Sequence, residues 1–174
     1  HAGFGLDYGF GRDPNAFVAL AIDPKSKNIW IYDEMYTYHQ TTPHIAEWLK
    51  KNGYQHASIY ADSASPERTQ QLLDLAIDNI QSVVKTPIEA GIDQLWQYKI
   101  HVHPKCKNIW NEFNNYVFDT DNIGNTLNRP KDENNHAMDA LRYACRQYMD
   151  MYDGSMGVDW GNQYHIAREM GLDI

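Results

Sequence analysis

A chain of 174 residues is long enough for one domain with a real core, and 43% apolar with 22% charged residues is ordinary for a soluble globular protein. No apolar run approaches the roughly 18 residues of a membrane span, and no signal-peptide pattern opens the chain. The net charge of −8 argues against a strong grip on nucleic acid by this domain alone, because nonspecific affinity comes from neutralising phosphates.

An acidic total does not exclude metal-dependent chemistry on a nucleic acid, since carboxylates that bind metals count on the negative side; affinity then has to come from the metals, a local basic strip or another domain. His1 stands where an initiator Met would, which predicts a domain cut from a longer protein. Cys106 and Cys145 have no partner at zinc spacing and are expected to be free thiols in a reducing cytoplasm.

In chain order, residues 3–10 read as a strand ending in turn chemistry at Gly9-Phe10-Gly11 and Asp13-Pro14. Residues 16–22 form a buried-strand run, and residues 28–36 alternate well enough for a third strand. Short turns join the three into an antiparallel meander. Thr42-Pro43 then starts a helix with Ile45, Trp48 and Leu49 on its apolar stripe, and Asn52-Gly53 ends it. A short strand follows at 57–61. Ser65-Pro66-Glu67 caps a second helix carrying Leu72, Leu75 and Ala76, and residues 80–84 make another strand.

An amphipathic helix is predicted over 88–98, a short strand over 100–103, and a helix through Ile109, Trp110, Phe113 and Tyr116. Residues 119–133 read as a loop or small hairpin, and a final helix runs from about 134 to 148. The expected division is a domain over 1–149 and a tail over 150–174, partly ordered at best. Three strands followed by alternating helices and strands predict an α/β fold: a mixed central sheet, antiparallel βββ meander plus parallel strands, flanked by helices. RNase H-like domains are built this way.

Three acids sit where carboxylates can converge. Asp7 lies inside the first apolar strand, where a charge is expensive unless paired or bound to metal. Asp62 follows directly on the strand at 57–61, at the carboxyl end where such folds place ligands. Asp139 lies on the final helix, where Ala137, Ala140, Leu141, Ala144 and Tyr148 share one face and His136, Asp139 and Tyr143 form a stripe along its edge. Singly, Asp7 is also suited to capping a turn, Asp62 to a turn or cap, and the His136/Asp139 pair to a helix surface. The conjunction is more specific than any one of them.

Hard cations want several oxygen ligands, so three clustered carboxylates suit Mg²⁺ or Mn²⁺. Two such ions about 3.5–4 Å apart are what phosphodiester hydrolysis uses. Three roles are open to His136: a nitrogen ligand to Mn²⁺, a residue orienting Asp139 from behind, or a proton shuttle.

The segments Gly5-Leu6-Asp7-Tyr8-Gly9-Phe10 with Asp13-Pro14-Asn15-Ala16, Tyr60-Ala61-Asp62-Ser63-Ala64-Ser65-Pro66-Glu67 and Asn135-His136-Ala137-Met138-Asp139-Ala140-Leu141-Arg142-Tyr143-Ala144 resemble, in order, the three acidic motifs of the nuclease domains of tailed-phage large terminases. Residues 89–95, 101–104 and 108–112 are similar to the segments that connect those motifs, so the likeness runs over roughly 3–149. The resemblance implies an RNase H-like, divalent-metal-dependent endonuclease that cuts concatemeric viral DNA during genome packaging in the host cytoplasm. Asp7, Asp62 and Asp139 map onto the family's metal-binding acids, and His136 onto a histidine found near the last acid in one branch.

The implied partners are double-stranded DNA, an N-terminal ATPase domain of the parent chain, a terminase small subunit and a portal or procapsid; no membrane is implied, and the domain alone is expected to be monomeric. Consistently, the chain has no GxxxxGK[ST] phosphate loop. Other RNase H-like nucleases, of the Holliday-junction resolvase or transposase type, share late helical acids and are an alternative; a non-catalytic packaging domain on the same fold is another. An actin-like sugar kinase also opens with a strand Asp and Gly, but this chain is too short for its second phosphate-binding turn. The positive charges available for DNA phosphates near the later loops are Lys85, Lys99, Lys105, Lys107, Arg129 and Lys131.

Overall fold

In a computed structural model of the chain, residues 1–83, 87–116, 118–120, 123, 126–130 and 135–149 are described, with 118–120, 126–130, 147 and 149 in backbone only. Three antiparallel strands come first, β1 (Ala2–Asp7), β2 (Asn15–Asp23) and β3 (Asn28–Thr37). Then follow α1 (Thr42–Lys51), β4 (Ile59–Ala61), α2 (Pro66–Asp74), β5 (Ile80–Ser82), α3 (Ile88–Leu95), β6 (Lys99–Val102), α4 (Lys107–Asn115), the two strands β7 (Phe118–Thr120) and β8 (Thr126–Pro130), and α5 (His136–Met149). Six strands make one mixed sheet in the order β5-β4-β1-β2-β3-β6, with β4, β5 and β6 joining in parallel. The expected mixed sheet, meander plus parallel strands, is what forms.

The period of two along the central strands sorts side chains onto two covered faces. On β2, Ala16, Val18, Leu20 and Ile22 join Ala137, Ala140, Leu141 and Ala144 of α5 in one core, while Phe17 and Ala19 join Ile45, Leu49 and Leu72 beneath α1 and α2 in the other. On β1, Phe4 and Leu6 take the α1/α2 side, followed by Tyr8 just beyond the strand. Gly3 and Gly5 take the α5 side, and Asp7 is next in that row.

Those glycines decide how close α5 can come. A Cβ on Gly5 would fall on the Ala140 carbonyl oxygen, and one on Gly3 would lie 2.5 Å from that of Ala144. Helix backbone therefore rests almost directly on strand backbone, with alanines supplying the contact. Any larger residue at either glycine forces the two apart.

Several boundaries are shorter than the sequence predicts. β1 ends at Asp7 rather than at residue 10, because Asn15 Oδ1 accepts from the Gly9 amide and pulls the chain into the turn. The second helix stops at Asp74, so Leu75 and Ala76 lie outside it; Ala76 adopts φ 58°, and Ser65 makes no side-chain cap bond. α3 ends at Leu95, with Ile88 exposed rather than buried. The strand expected at 57–61 forms only over its last three residues. The hairpin within 119–133 is present as β7–β8, an antiparallel pair. Both cysteines are buried free thiols, and no described helix is long and apolar enough to cross a membrane. The predicted tail at 150–174 lies outside the described residues.

Candidate active site

Asp7 is the last residue of β1, and the parallel neighbour β4 ends one residue before Asp62, whose amide continues the ladder to the Leu6 carbonyl at 2.9 Å. The two carboxylates thus leave the sheet side by side from carboxyl ends. Asp7 also sits opposite Ala16, on the face that α5 covers. Because Gly5 admits the first turns of α5 so closely, His136 reaches Asp7, and Asp139 comes near enough for its charge to act on Asp7.

The polar partners are specific. His136 Nδ1 lies 2.9 Å from Asp7 Oδ2, and His136 Nε2 lies 3.8 Å from Asp13 Oδ1. Asp62 Oδ1 accepts from the Ala64 amide at 3.1 Å. Asp139 Oδ1 accepts from both Nε and an Nη of Arg142, at 3.2 and 2.7 Å. Of the roles open to His136, orienting Asp139 is not the one drawn: its hydrogen bond goes to Asp7, and Asp139 is held by Arg142.

Burial and mutual repulsion act in the same direction here. Asp7 and Asp62 are 6% and 9% exposed. Burial raises the Asp7 carboxyl above its ordinary range, with Asp139 and Asp62 adding to the rise and His136 opposing it. Burial likewise raises Asp139, against Arg142 and with Asp62. His136 is raised, first by its bond to Asp7 and against burial. Tyr143 is also raised, by burial and then by the charges of Asp139, Asp7 and Asp62. Three carboxylates from three separate elements share one electrostatic neighbourhood.

Oxygen donors packed this way are the chemistry a hard divalent cation selects. Among the described residues, however, no three His, Cys, Asp or Glu side chains stand close enough together to hold an ion as placed. Asp139 is engaged by Arg142 and Asp62 by a backbone amide. The donor set fits such a cation in kind, while its present partners are protein groups.

Four residues at or beside the site carry roles that spacing alone did not assign. Glu112, 3% exposed, accepts from Tyr36 Oη and from the Met138 amide, so it ties β3 and α4 to the first turn of α5. Arg142 is the partner of Asp139; its position three residues on along a helix was the available signal. Arg68 of α2 lies over the Tyr8 ring and donates to the Gly9 carbonyl and Asn15 Oδ1. Asn15 is buried and also donates to the Gln40 carbonyl, which pins the β1–β2 turn.

Of the basic residues proposed for DNA, the described ones do not gather at the acids. Lys99 opens β6, which runs parallel to β3 and hence to β1, so it stands at the end of the sheet away from Asp7 and Asp62. Lys105 Nζ is paired with Asp33 Oδ1 at 2.8 Å. Lys107 is exposed at the start of α4. Lys85 and Lys131, and the side chain of Arg129, lie outside the described residues.

A six-stranded mixed sheet with acids at the ends of its first and fourth strands and on a helix lying across the first defines an RNase H-like protein. Within that class the chain belongs to the family described as the Terminase RNAseH like domain, whose model matches residues 7–147. It is 33% identical over 162 residues to the terminase large subunit of Bacillus phage SPP1, covering 90% of this chain and 38% of that protein. It is 28% identical to the PBSX phage terminase large subunit of Bacillus subtilis strain 168, over 83% of this chain and 34% of that one. The chain therefore spans little more than a third of the curated relatives it matches.

The crystal structure of the SPP1 g2p (large terminase) nuclease domain with bound Mn superposes with a TM-score of 0.81 at 34% identity, covering 85% of this chain and 86% of that one. The fold of a terminase large-subunit nuclease domain is thus established for this chain.

Proposed function

We propose that this domain is a Mg²⁺- or Mn²⁺-dependent DNA endonuclease that cuts concatemeric viral DNA during genome packaging. What supports it is the placing of Asp7 at the end of β1, Asp62 directly after β4 and Asp139 on α5, with Asp7 raised by burial and by Asp139 and Asp62, and Asp139 by burial and by Asp62. A protein gains nothing in stability from crowding acids in this way. Bound divalent cations relieve the repulsion, and the Mn bound to the SPP1 nuclease domain supports that choice of ligand.

In this reading Asp7, Asp62 and Asp139 hold the metal, and His136 belongs to the same centre. When bound, two ions supply activation of a water and stabilisation of the departing 3′ oxygen. The chain's own residues would position them: His136 fixes the Asp7 carboxylate through Nδ1, Glu112 anchors the first turn of α5, and Arg142 holds Asp139. The chain's share of its relatives' length fits a parent protein that also carries the ATPase motor, with small subunit and portal as further partners. Double-stranded DNA is the substrate, with virus assembly in the host cytoplasm the setting.

Plasmid cleavage by the purified chain with EDTA, Mg²⁺ or Mn²⁺, beside Asp7→Ala, Asp62→Ala and Asp139→Ala, tests this. Metal-dependent nicking and linearisation, lost in all three folded variants, is the expected result. Cleavage that persists in EDTA or in any of the three would overturn the assignment of the site.

A further inference from the structure

Beside the acid cluster the β1–β2 turn and the start of α1 enclose an open cleft of about 500 Å³, lined by Gly9, Gly11, Asn15, Thr41, Arg68 and Gln71 among others. The cleft adjoins the candidate centre directly. Asp13, its one carboxylate, stands 3.8 Å from His136 Nε2, and Arg68 is close enough to Asp7 to be influenced by its charge. Arg68 is half-buried and held in place by Thr42 Oγ1, the Gly9 carbonyl and Asn15 Oδ1. A guanidinium has five N–H donors, and three of them are used in these bonds, which leaves two.

The turn itself is closed by internal hydrogen bonds and carries an unusual side chain. Asp13 donates its amide to the Phe10 carbonyl at 3.0 Å, Gly9 is tied to Asn15, and a Cβ on Gly9 would collide with the Asp13 and Pro14 backbone. Between Gly9 and Gly11, Phe10 is 89% exposed, three residues from Asp7. A large apolar side chain held in water on a pinned turn, next to a polar cleft with a preorganised Arg, matches two things a nucleic-acid strand presents together. These are a phosphate and the apolar faces of its bases.

We propose that this cleft receives the DNA phosphate next to the scissile one on Arg68, with Phe10 acting as a wedge at the adjoining base step. The inference rests on the nuclease reading and adds to it where the strand runs. Arg68 and Phe10 bind and orient; neither touches the reacting atoms. In a domain of net charge −8 such an anchor is one source of the affinity that the overall charge does not supply.

Because Arg68 also braces the turn, the test uses residues whose replacement leaves the fold intact. Gln71 is exposed on α2 and lines the cleft; Lys and Glu are both good helix formers there. Steady-state cleavage of a duplex oligonucleotide with Mn²⁺ is compared for the unaltered chain, Gln71→Glu, Gln71→Lys and Phe10→Ala. The wedge is read separately by 2-aminopurine fluorescence in the duplex.

Expected are a KM raised about threefold or more by Gln71→Glu and lowered by Gln71→Lys, with kcat little changed and a salt dependence that shifts with the charge. Phe10→Ala should raise KM about tenfold and abolish the fluorescence rise on binding. Unchanged KM values in all three variants of an active chain would overturn the inference and leave the nuclease reading standing. An unaltered chain that does not cleave with either metal overturns the nuclease reading, and the inference with it.

Discussion

His136 Nδ1 and Asp7 Oδ2 lie 2.9 Å apart although 129 positions separate the two residues in the chain. Strand β1 supplies the carboxylate, helix α5 supplies the imidazole, and the Gly5–Ala140 contact brings the two elements close enough for the bond. The imidazole fixes the orientation of a buried carboxylate that would otherwise face two other acids with no partner. Replacing His136 by Ala should therefore weaken Mn²⁺ binding about 10- to 100-fold, the usual cost of losing a residue that orients a metal ligand. Isothermal titration of Mn²⁺ into the chain and the variant measures it; equal affinities would show that Asp7 needs no such support.

Arg142 offers a sharper stability test. Its guanidinium is the counter-charge of Asp139 in the described structure. Arg142→Ala leaves a largely buried carboxylate without its partner, at a cost of about 3 kcal/mol in metal-free solution. Mn²⁺ should restore a larger share of thermal stability to this variant than to the unaltered chain, because the cation takes over the role of the guanidinium. Unfolding scans in EDTA and in Mn²⁺ check both halves.

Gly5→Ala tests the packing that assembles the site. Its new methyl would meet the Ala140 carbonyl, so α5 has to shift, and about 2 kcal/mol or more of stability should be lost. Urea denaturation measures the loss, and Mn²⁺ affinity should fall with it, since His136 and Asp139 move with the helix. A variant with native stability and affinity would mean that the strand–helix contact is slack.

The Asp33 carboxylate gives a pH signature. Burial works to raise it, but the Lys105 ammonium and the Tyr54 hydroxyl, at 2.8 and 2.6 Å, outweigh burial and hold it below its ordinary 3.8. A carboxyl lowered on folding contributes stability that is present above its unfolded pKa and lost as pH falls through its folded value. Asp33→Asn should therefore destabilise the protein near neutrality, by no more than about 1 kcal/mol because solvent screens the pair. The gap between the two proteins should close as pH drops below 3.8. Thermal unfolding across pH 2–7 follows it.

Much of this was legible along the chain. The βββ opening, the later alternation of helices and strands, the three acidic segments and the alanine face of α5 all follow from local periodicity, which depends only on 3.6- and 2-residue repeats. Even the face on which Asp7 lies is fixed by its spacing from Gly3 and Gly5. Less was legible at boundaries: β1 stops at Asp7 because of a side-chain bond from Asn15, eight residues on, and the second helix stops early with Ala76 in a left-handed conformation. Neither cause is a periodic signal.

The sequence by itself therefore determined the class of fold and the order of its elements, and it singled out the three acids proposed as the site, because each is written in residues close together in the chain. Only the tertiary structure decided which group answers which: His136 on Asp7, Arg142 on Asp139, Glu112 on the start of α5, and Arg68 in the lining of the neighbouring cleft. Charged groups choose partners by distance and desolvation in the folded state. Those distances exist only once glycines on one strand have let a helix from the far end of the chain settle against it.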